Sequence, residues 1–310
     1  MKHTLPQSHL DLNEKNANEK KRAVGHFAAL FTAIIWGTTF ISTKVLLTDF
    51  QPVEILFFRF VIGLLVLTIA YPRRLRGTTG RQECLFAAAG LCGVSLYFLL
   101  ENIALTYTQA SNVGVIVAVS PFFTAFLTRL FWKDREKLHP AFFIGFAVAM
   151  TGIFLISFQG TALQLNPLGD LLALGAALVW SFYSVFVKKI GSFGYHTILT
   201  TRRIFFYGVV FMLPALFFFD ASLDLSRFAQ PRCLFNILFL GLGASALCFV
   251  TWNFAVKLLG AIKTSVYIYM IPAITVITSF LILHETITMF SVLGTLLTMA
   301  GLFLSERRGS

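Results

Sequence analysis

Thr32-Ala33-Ile34-Ile35-Trp36-Gly37-Thr38-Thr39-Phe40-Ile41-Ser42-Thr43-Lys44 has a second copy in the chain, Ala176-Ala177-Leu178-Val179-Trp180-Ser181-Phe182-Tyr183-Ser184-Val185-Phe186-Val187-Lys188. Each copy is apolar, then aromatic, then small and hydroxylated, then basic. A shift of 144 positions puts Trp36 on Trp180 and Lys44 on Lys188, and it also puts Arg59 on Arg203. On a helix, Trp, the residue four on and Lys eight on are expected to share one face. Each copy opens a series of further apolar runs. The pattern therefore points to an all-α membrane protein built by duplication.

Composition agrees. Hydrophobic residues make up 57% of the chain and charged residues 13%, against about 25% charged in a soluble domain. So little polar surface cannot coat a globule of this size in water, whereas lipid accepts an apolar exterior. The 35 phenylalanines fit lipid-facing helices. The net charge of +11 is held in short clusters between apolar runs, the arrangement that orients a membrane protein. No basic face or motif points to nucleic acid. Cys84, Cys92, Cys233 and Cys248 form no CxxC pair and read as small buried apolar residues. His3, His9, His26, His139, His196 and His284 make no HxxxH or HExxH pair, and no phosphate-cradling glycine loop is present. Catalytic, metal and cofactor sites are therefore not expected, and neither is an ATP-driven cycle.

Residues 1–26 read as a disordered, basic, cytosolic tail. Ten apolar runs follow, at 27–47, 53–71, 84–107, 111–132, 138–158, 168–190, 197–219, 232–257, 262–283 and 287–305. Each approaches the roughly 20 residues that cross a bilayer core. Alternate connections carry eighteen basic residues on one side against Arg227 and Arg232 on the other. The positive-inside rule then puts both termini in the cytosol of a cell-membrane protein, of the bacterial inner-membrane kind. The first repeat is 27–158 and the second 168–305. Asn102-Ile103-Ala104 matches Asn253-Phe254-Ala255, and Pro121 matches Pro272, at a shift of 151. Five runs per repeat is an odd number, so the second repeat enters from the opposite face. Such inverted repeats support alternating access with a site near the midplane.

Charges within membrane helices are costly and are functional or paired. Arg59 lies about six residues, or about 9 Å, inside the second run. Glu101 and Lys44 lie at similar depth near the ends of their runs. An ion pair or triad of Glu101 with Arg59 or Lys44 is expected, with proton or substrate coupling as the alternative. Arg202 and Arg203 sit equally deep from the cytosolic side, where Trp252 occupies the position equivalent to Glu101. They are expected either to snorkel to the cytosol or to attract an anion. Asn102 and Asn253 hold substrate or cross-brace helices. Trp36, Trp180, Tyr183, Tyr267 and Tyr269 are candidate cavity aromatics. Pro121 and Pro272 should kink their helices. Gly145, Gly152, Gly294 and Gly301 give smooth faces through which the fifth and tenth runs pack together or form a homodimer contact.

The chain resembles the ten-helix EamA-type permeases of the drug/metabolite transporter superfamily. The resemblance rests on Trp36-Gly37-Thr38-Thr39-Phe40 with Lys44, Arg59, Ala104-Leu105-Thr106-Tyr107-Thr108, Pro121, Pro272, Glu136 and Glu285, and covers about 27–305. It implies a secondary transporter for a small organic metabolite, an amino acid or related solute. The implied direction is export, through a central cavity between the halves. Glu101 departs from the apolar or aromatic residue that the family pattern has there. Two other function classes stand beside it. A non-transporting sensor or scaffold needs no symmetric cavity. A membrane-embedded enzyme needs a polar catalytic cluster, and only Lys44, Arg59 and Glu101 come near one.

Overall fold

The structure, a computed structural model, describes residues 7–107, 110–131, 139–157, 166–283 and 289–306. The described residues form helices and connections without a strand. In chain order the helices are α1 (Gln7–Leu46), α2 (Pro52–Ala70), α3 (Gly80–Tyr107), α4 (Ala110–Val117), α5 (Ser120–Phe131) and α6 (Pro140–Ser157). They continue as α7 (Pro167–Gly191), α8 (Thr197–Phe218), α9 (Pro231–Leu259), α10 (Ala261–Ser265), α11 (Met270–Leu283) and α12 (Met289–Glu306). Pro52, Pro140, Pro167 and Pro231 each occupy a first helical position, where a missing N–H costs nothing. Glu136, Glu285, His284, Lys133, Arg135, Lys137, Arg307 and Arg308 lie outside the described residues.

Six helices are long and apolar enough to cross a membrane: Glu19–Leu46, Pro52–Ala70, Gly80–Tyr107, Pro167–Gly191, Thr197–Phe218 and Pro231–Leu259. Pro140–Leu155 and Val292–Ser305 are shorter apolar helices. The apolar runs at 111–132 and 262–283 each hold two pieces, α4 with α5 and α10 with α11. The expected proline kinks thus appear as interruptions of the α-helix, a turn before Pro121 and a 3-10 stretch before Pro272. Ala118 and Val119 form a turn, and Pro121 is the second residue of α5. A 3-10 stretch, Val266–Tyr269, separates α10 from α11, and Pro272 is the third residue of α11. Placing each proline in a first turn avoids the lost hydrogen bond and the ring clash of an interior proline.

One expectation fails at the start of the chain. Residues 7–26, read as a disordered tail, continue α1 as helix. That stretch has no proline after Pro6 and no glycine before Gly25, and Glu, Lys, Arg, Ala and Leu make up half of it. Good helix formers extend a helix already nucleated by the apolar segment at little cost. The cysteines also divide. Cys233 and Cys248 are buried, but Cys84 is exposed.

Close helix approaches hold the bundle together, and they follow one scheme in the two halves. Gly63 of α2 meets Gly241 O of α9, and Gly90 of α3 meets Gly208 of α8. The second helix of each half therefore packs on the third helix of the other. Both third helices carry a π-helical stretch near this contact, Leu91–Leu96 in α3 and Phe239–Leu247 in α9. A Cβ on Gly301 of α12 would lie 2.6 Å from Gly145 O of α6, and one on Gly152 would lie 2.5 Å from Gly294 O. These glycine faces are thus used within the chain, where α6 and α12 pack together. Gly260, at φ +89°, makes the sharp joint between α9 and α10 that a side chain would strain. Large apolar side chains cover the outside: Phe217 is 81% exposed, Ile69 78% and Leu130 66%. Such a surface suits lipid.

Candidate functional site

A cavity of about 720 Å³, its mouth included, opens between α1, α2, α3, α4, α7 and α11. It lies in the half of the bundle where α1 ends and α2 begins. Trp36, Thr39, Phe40 and Thr43 line it from α1. Their spacing of three, four and seven residues is one helical face. Lys44 is not on it. Eight residues turn a helix about 80° past its starting direction, and seven return it to within about 20°. Thr43 therefore takes the place expected of Lys44, which is exposed.

Two buried groups of opposite charge line this space. Arg59, 3% exposed, donates from Nε to Ser245 Oγ at 2.9 Å, its only acceptor among the described residues. Its guanidinium lies 4.5 Å from the Phe98 ring centre and 5.2 Å from that of Phe60. Glu101, 6% exposed, accepts from the Tyr97 hydroxyl at 3.1 Å. The expected ion pair is absent: among the described ion pairs none joins Glu101 to Arg59 or to Lys44. Asn102 also lines the cavity, and its amide donates to Pro52 O at 3.2 Å.

Below the cavity the bundle is sealed by aromatic rings. Trp36 and Trp180 lie edge to face at 5.3 Å, and Trp252 sits 4.9 Å from Trp36. Phe249 packs against Trp36, Trp180, Tyr183, Phe60 and Phe205 at 5.1–6.0 Å. The Trp36 indole N–H donates to Ala244 O at 3.0 Å, which ties α1 to the π-helical part of α9. Tyr183 belongs to this seal and not to the cavity wall. Its hydroxyl donates to Asn253 Oδ1 at 2.6 Å, and the Asn253 amide donates to Thr201 Oγ1 at 3.0 Å. Asn253 thus braces α9 to α7 and α8. Tyr267 shares a 2.8 Å hydrogen bond with His26, and Tyr269 packs with Phe146 in a separate core. Neither lines the cavity, and neither does Pro121, whereas Pro272 does.

At the opposite end of the bundle lies a smaller pocket of about 260 Å³, lined by Val187, Thr200, Asn253 and Lys257 among others. Val187 and Asn253 are the second-half equivalents of Thr43 and Asn102 of the large cavity. Arg203 is not without an acid there. Glu83 of α3 pairs with it at 3.4 Å and accepts from Tyr207 at 2.6 Å and Thr78 at 2.7 Å. Equating Glu101 with Trp252 by repeat position missed this partner, because Glu83 reaches Arg203 from the other half. Arg202 donates to Tyr71 O at 2.8 Å and to Arg73 O, at the end of α2.

A second buried acid also escaped the sequence. Glu54, 1% exposed in the first turn of α2, pairs with Arg227 at 2.8 Å. It accepts as well from Ser222 N at 2.6 Å and Gln51 N at 2.9 Å. Arg232 pairs with Asp49 at 2.8 Å. Both arginines of the sparsely basic side are therefore neutralised. The Thr48 hydroxyl, then the Cys233 thiol and Arg232, hold the Asp49 carboxyl below its ordinary value against the opposing effect of burial.

The EamA-like transporter family matches the chain twice, over residues 23–158 and 167–307. An uncharacterized transporter of Archaeoglobus fulgidus is 27% identical over 294 residues, covering 91% of this chain and 97% of the relative. A probable terminal-alkyne amino-acid exporter of Streptantibioticus cattleyicolor is 26% identical over 91% of this chain and 93% of its own length. A crystal structure at 18% identity superposes with a TM-score of 0.75 over 92% of this chain and 98% of that one, a likeness of fold. The duplicated pattern, the apolar exterior and the double match agree: this chain belongs to the EamA-like transporter family, and so to the transporters of the drug/metabolite type.

Proposed function

We propose that the chain is a secondary transporter that exports a small zwitterionic metabolite, an amino acid or a related solute, by alternating access. The observation that carries this is the pairing of Arg59 with Glu101 across one cavity without a direct ion pair. A buried charge demands a partner. A carboxylate presented to Arg59 and an ammonium presented to Glu101 satisfy both at once. The rest of the lining, Trp36, Phe40, Phe98, Trp180, Ile268 and Ile271, suits an apolar side chain. The name of the Streptantibioticus relative supports an amino-acid class.

Ten crossings in two inverted halves, with cytosolic termini, complete the proposal. α4 with α5 counts as one crossing, and α10 with α11 as another. The cavity then faces outward and the aromatic seal closes the cytosolic half. A thermal-shift panel tests the substrate class. L-Methionine, L-leucine and L-phenylalanine should raise the melting temperature, since ligand binding adds to the stability of the folded state. Their amides and their deaminated acids should not. Equal shifts for zwitterion and amide would refute the role given to Arg59.

A further inference from the structure

Threonines buried in helices ordinarily satisfy their hydroxyls on the preceding turn. In this bundle Thr32 donates to Ala28 O at 2.8 Å, Thr264 to Gly260 O at 2.8 Å and Thr298 to Gly294 O at 2.7 Å. Three hydroxyls on α5 do not. Ser120, Thr124 and Thr128 are 0%, 0% and 1% exposed, and their side-chain oxygens have no hydrogen-bond partner among the described residues. Their spacing of four residues puts all three on one face. That face packs on α7 and α10, while Phe122, Phe126 and Leu130 lie on the exposed side. Ser181 and Ser184 of α7 and Thr264 and Ser265 of α10 are buried as well. Ser181 donates to Ser120 O at 2.9 Å. The result is a dry seam lined with hydroxyls, running from the break before Pro121 toward the end of the bundle opposite the cavity.

The repeat gives these positions a second meaning. At the shift of 151 that relates Pro121 to Pro272, Ser120 corresponds to Ile271 and Ser265 to Gly114. Ile271, Pro272 and Gly114 all line the open cavity. Trp180, the equivalent of Trp36, stands where the cavity floor meets α7. Ser120 and Ser265, one from each half, are thus repeat counterparts of cavity-wall positions, and Thr124 and Thr128 continue the same α5 face beyond Ser120. Orphaned hydroxyls are unfavourable in a permanently dry interface and favourable in one that water enters.

We infer that Ser120, Thr124 and Thr128 line the other half of the transport path, closed in this structure, and that they offer neutral hydrogen-bonding groups to a polar or zwitterionic solute on its way between the cavity and the opposite face. The inference rests on the transporter function proposed above and names the surface used in the alternate state.

Cysteine accessibility tests it without any solute. The background carries Cys84→Ala, Cys92→Ala, Cys233→Ala and Cys248→Ala. Ser120→Cys, Thr124→Cys and Thr128→Cys are near-isosteric and report independently. Thr298→Cys, equally buried but in the α6–α12 contact, is the control. In liposomes, N-ethylmaleimide should modify the α5 thiols at least ~10-fold faster than the control, because a minor open state populated to even about 1% wets them. Rates equal to the control at all three positions would overturn the inference. In a second arm, Thr124→Val with Thr128→Val should slow modification of Ser120→Cys by about tenfold while the melting temperature holds or rises, since an apolar seam opens less readily. An unchanged rate would show that the hydroxyls play no part in opening and would also overturn it. The proposed substrate stands or falls separately. Amino-acid exchange with a dry seam refutes only this inference, and a wetted seam without amino-acid exchange refutes only the substrate class.

Discussion

Helix α2 carries two buried charges five residues apart, and they are treated in opposite ways. Glu54 is fully committed: Arg227, Ser222 N and Gln51 N all hold its carboxylate, and the Arg227 guanidinium also lies 4.2 Å from the Phe50 ring centre. Arg59 gives one hydrogen bond to Ser245 and turns the rest of its charge toward a cavity it shares with Glu101. A charge that serves the fold is closed by the protein's own atoms. A charge left facing a cavity is one the protein keeps for something else to close.

The largest effect should come from the closed pair. Glu54→Ala leaves Arg227 without its carboxylate and two backbone N–H groups without an acceptor. Breaking such a buried pair costs about 3–5 kcal/mol. The melting temperature of the purified protein should fall by several degrees, and a fall of less than one degree would make the two charges alike.

The open pair should show the reverse. Arg59→Gln and Glu101→Gln should each lower amino-acid affinity about 100-fold, as loss of one partner in a buried charged contact does. Their melting temperatures without ligand should fall far less than that of Glu54→Ala, because no direct ion pair is broken. Isothermal calorimetry and a thermal melt on the same preparations give both numbers. A large melt defect with normal affinity would turn Arg59 and Glu101 into structural charges.

Much of the helix layout was legible because lipid imposes a single rule. Each crossing needs about 20 apolar residues, and connections carry the charge. The apolar runs therefore fall on helices, although α1 starts well before its run and two runs each hold two helical pieces, and even the glycine contact of Gly145 with Gly301 could be anticipated from repeated spacing. The cavity was half legible. Trp36, Arg59, Glu101, Asn102, Trp180 and Pro272 line it. Thr39, Phe40, Thr43, Tyr97 and Phe98 were missed because nothing in composition separates a cavity wall from a core face. Lys44 misled because an eight-residue step leaves its helix face. Glu54 and Glu83 were hidden for another reason. Near helix ends an acid looks solvated, and only the fold brings Arg227 or Arg203 to it from the other half of the chain.

At the opposite end of the bundle the Glu83–Arg203 pair refines the contrast. It is 3.4 Å long, and its side chains are 25% and 31% exposed. A pair that wet is worth about 0.5–1 kcal/mol. Glu83→Gln should therefore lower the melting temperature far less than Glu54→Ala. An equal drop would mean that depth in the bundle does not grade these pairs.

The smallest effect concerns Asp49. Its carboxyl is held below the ordinary value near 3.8. A depressed acid contributes stability that is present above its unfolded pKa and is lost as pH falls through the lower folded value. The melting-temperature gap between wild type and Asp49→Asn should thus be constant from pH 7 to about 5 and close below about pH 4. A gap that does not narrow at all between pH 5 and the lowest pH at which the protein stays folded would remove Asp49 from the account.

The central claim is that Arg59 and Glu101 together receive a zwitterion. Counterflow in proteoliposomes tests it most directly. Vesicles loaded with unlabelled L-methionine should accumulate radiolabelled L-methionine, and neither L-methioninamide nor the deaminated acid inside should drive that uptake. Arg59→Gln and Glu101→Gln should each abolish it while the protein remains folded. Uptake driven equally by the amide or the acid, or surviving in both variants, would contradict the claim.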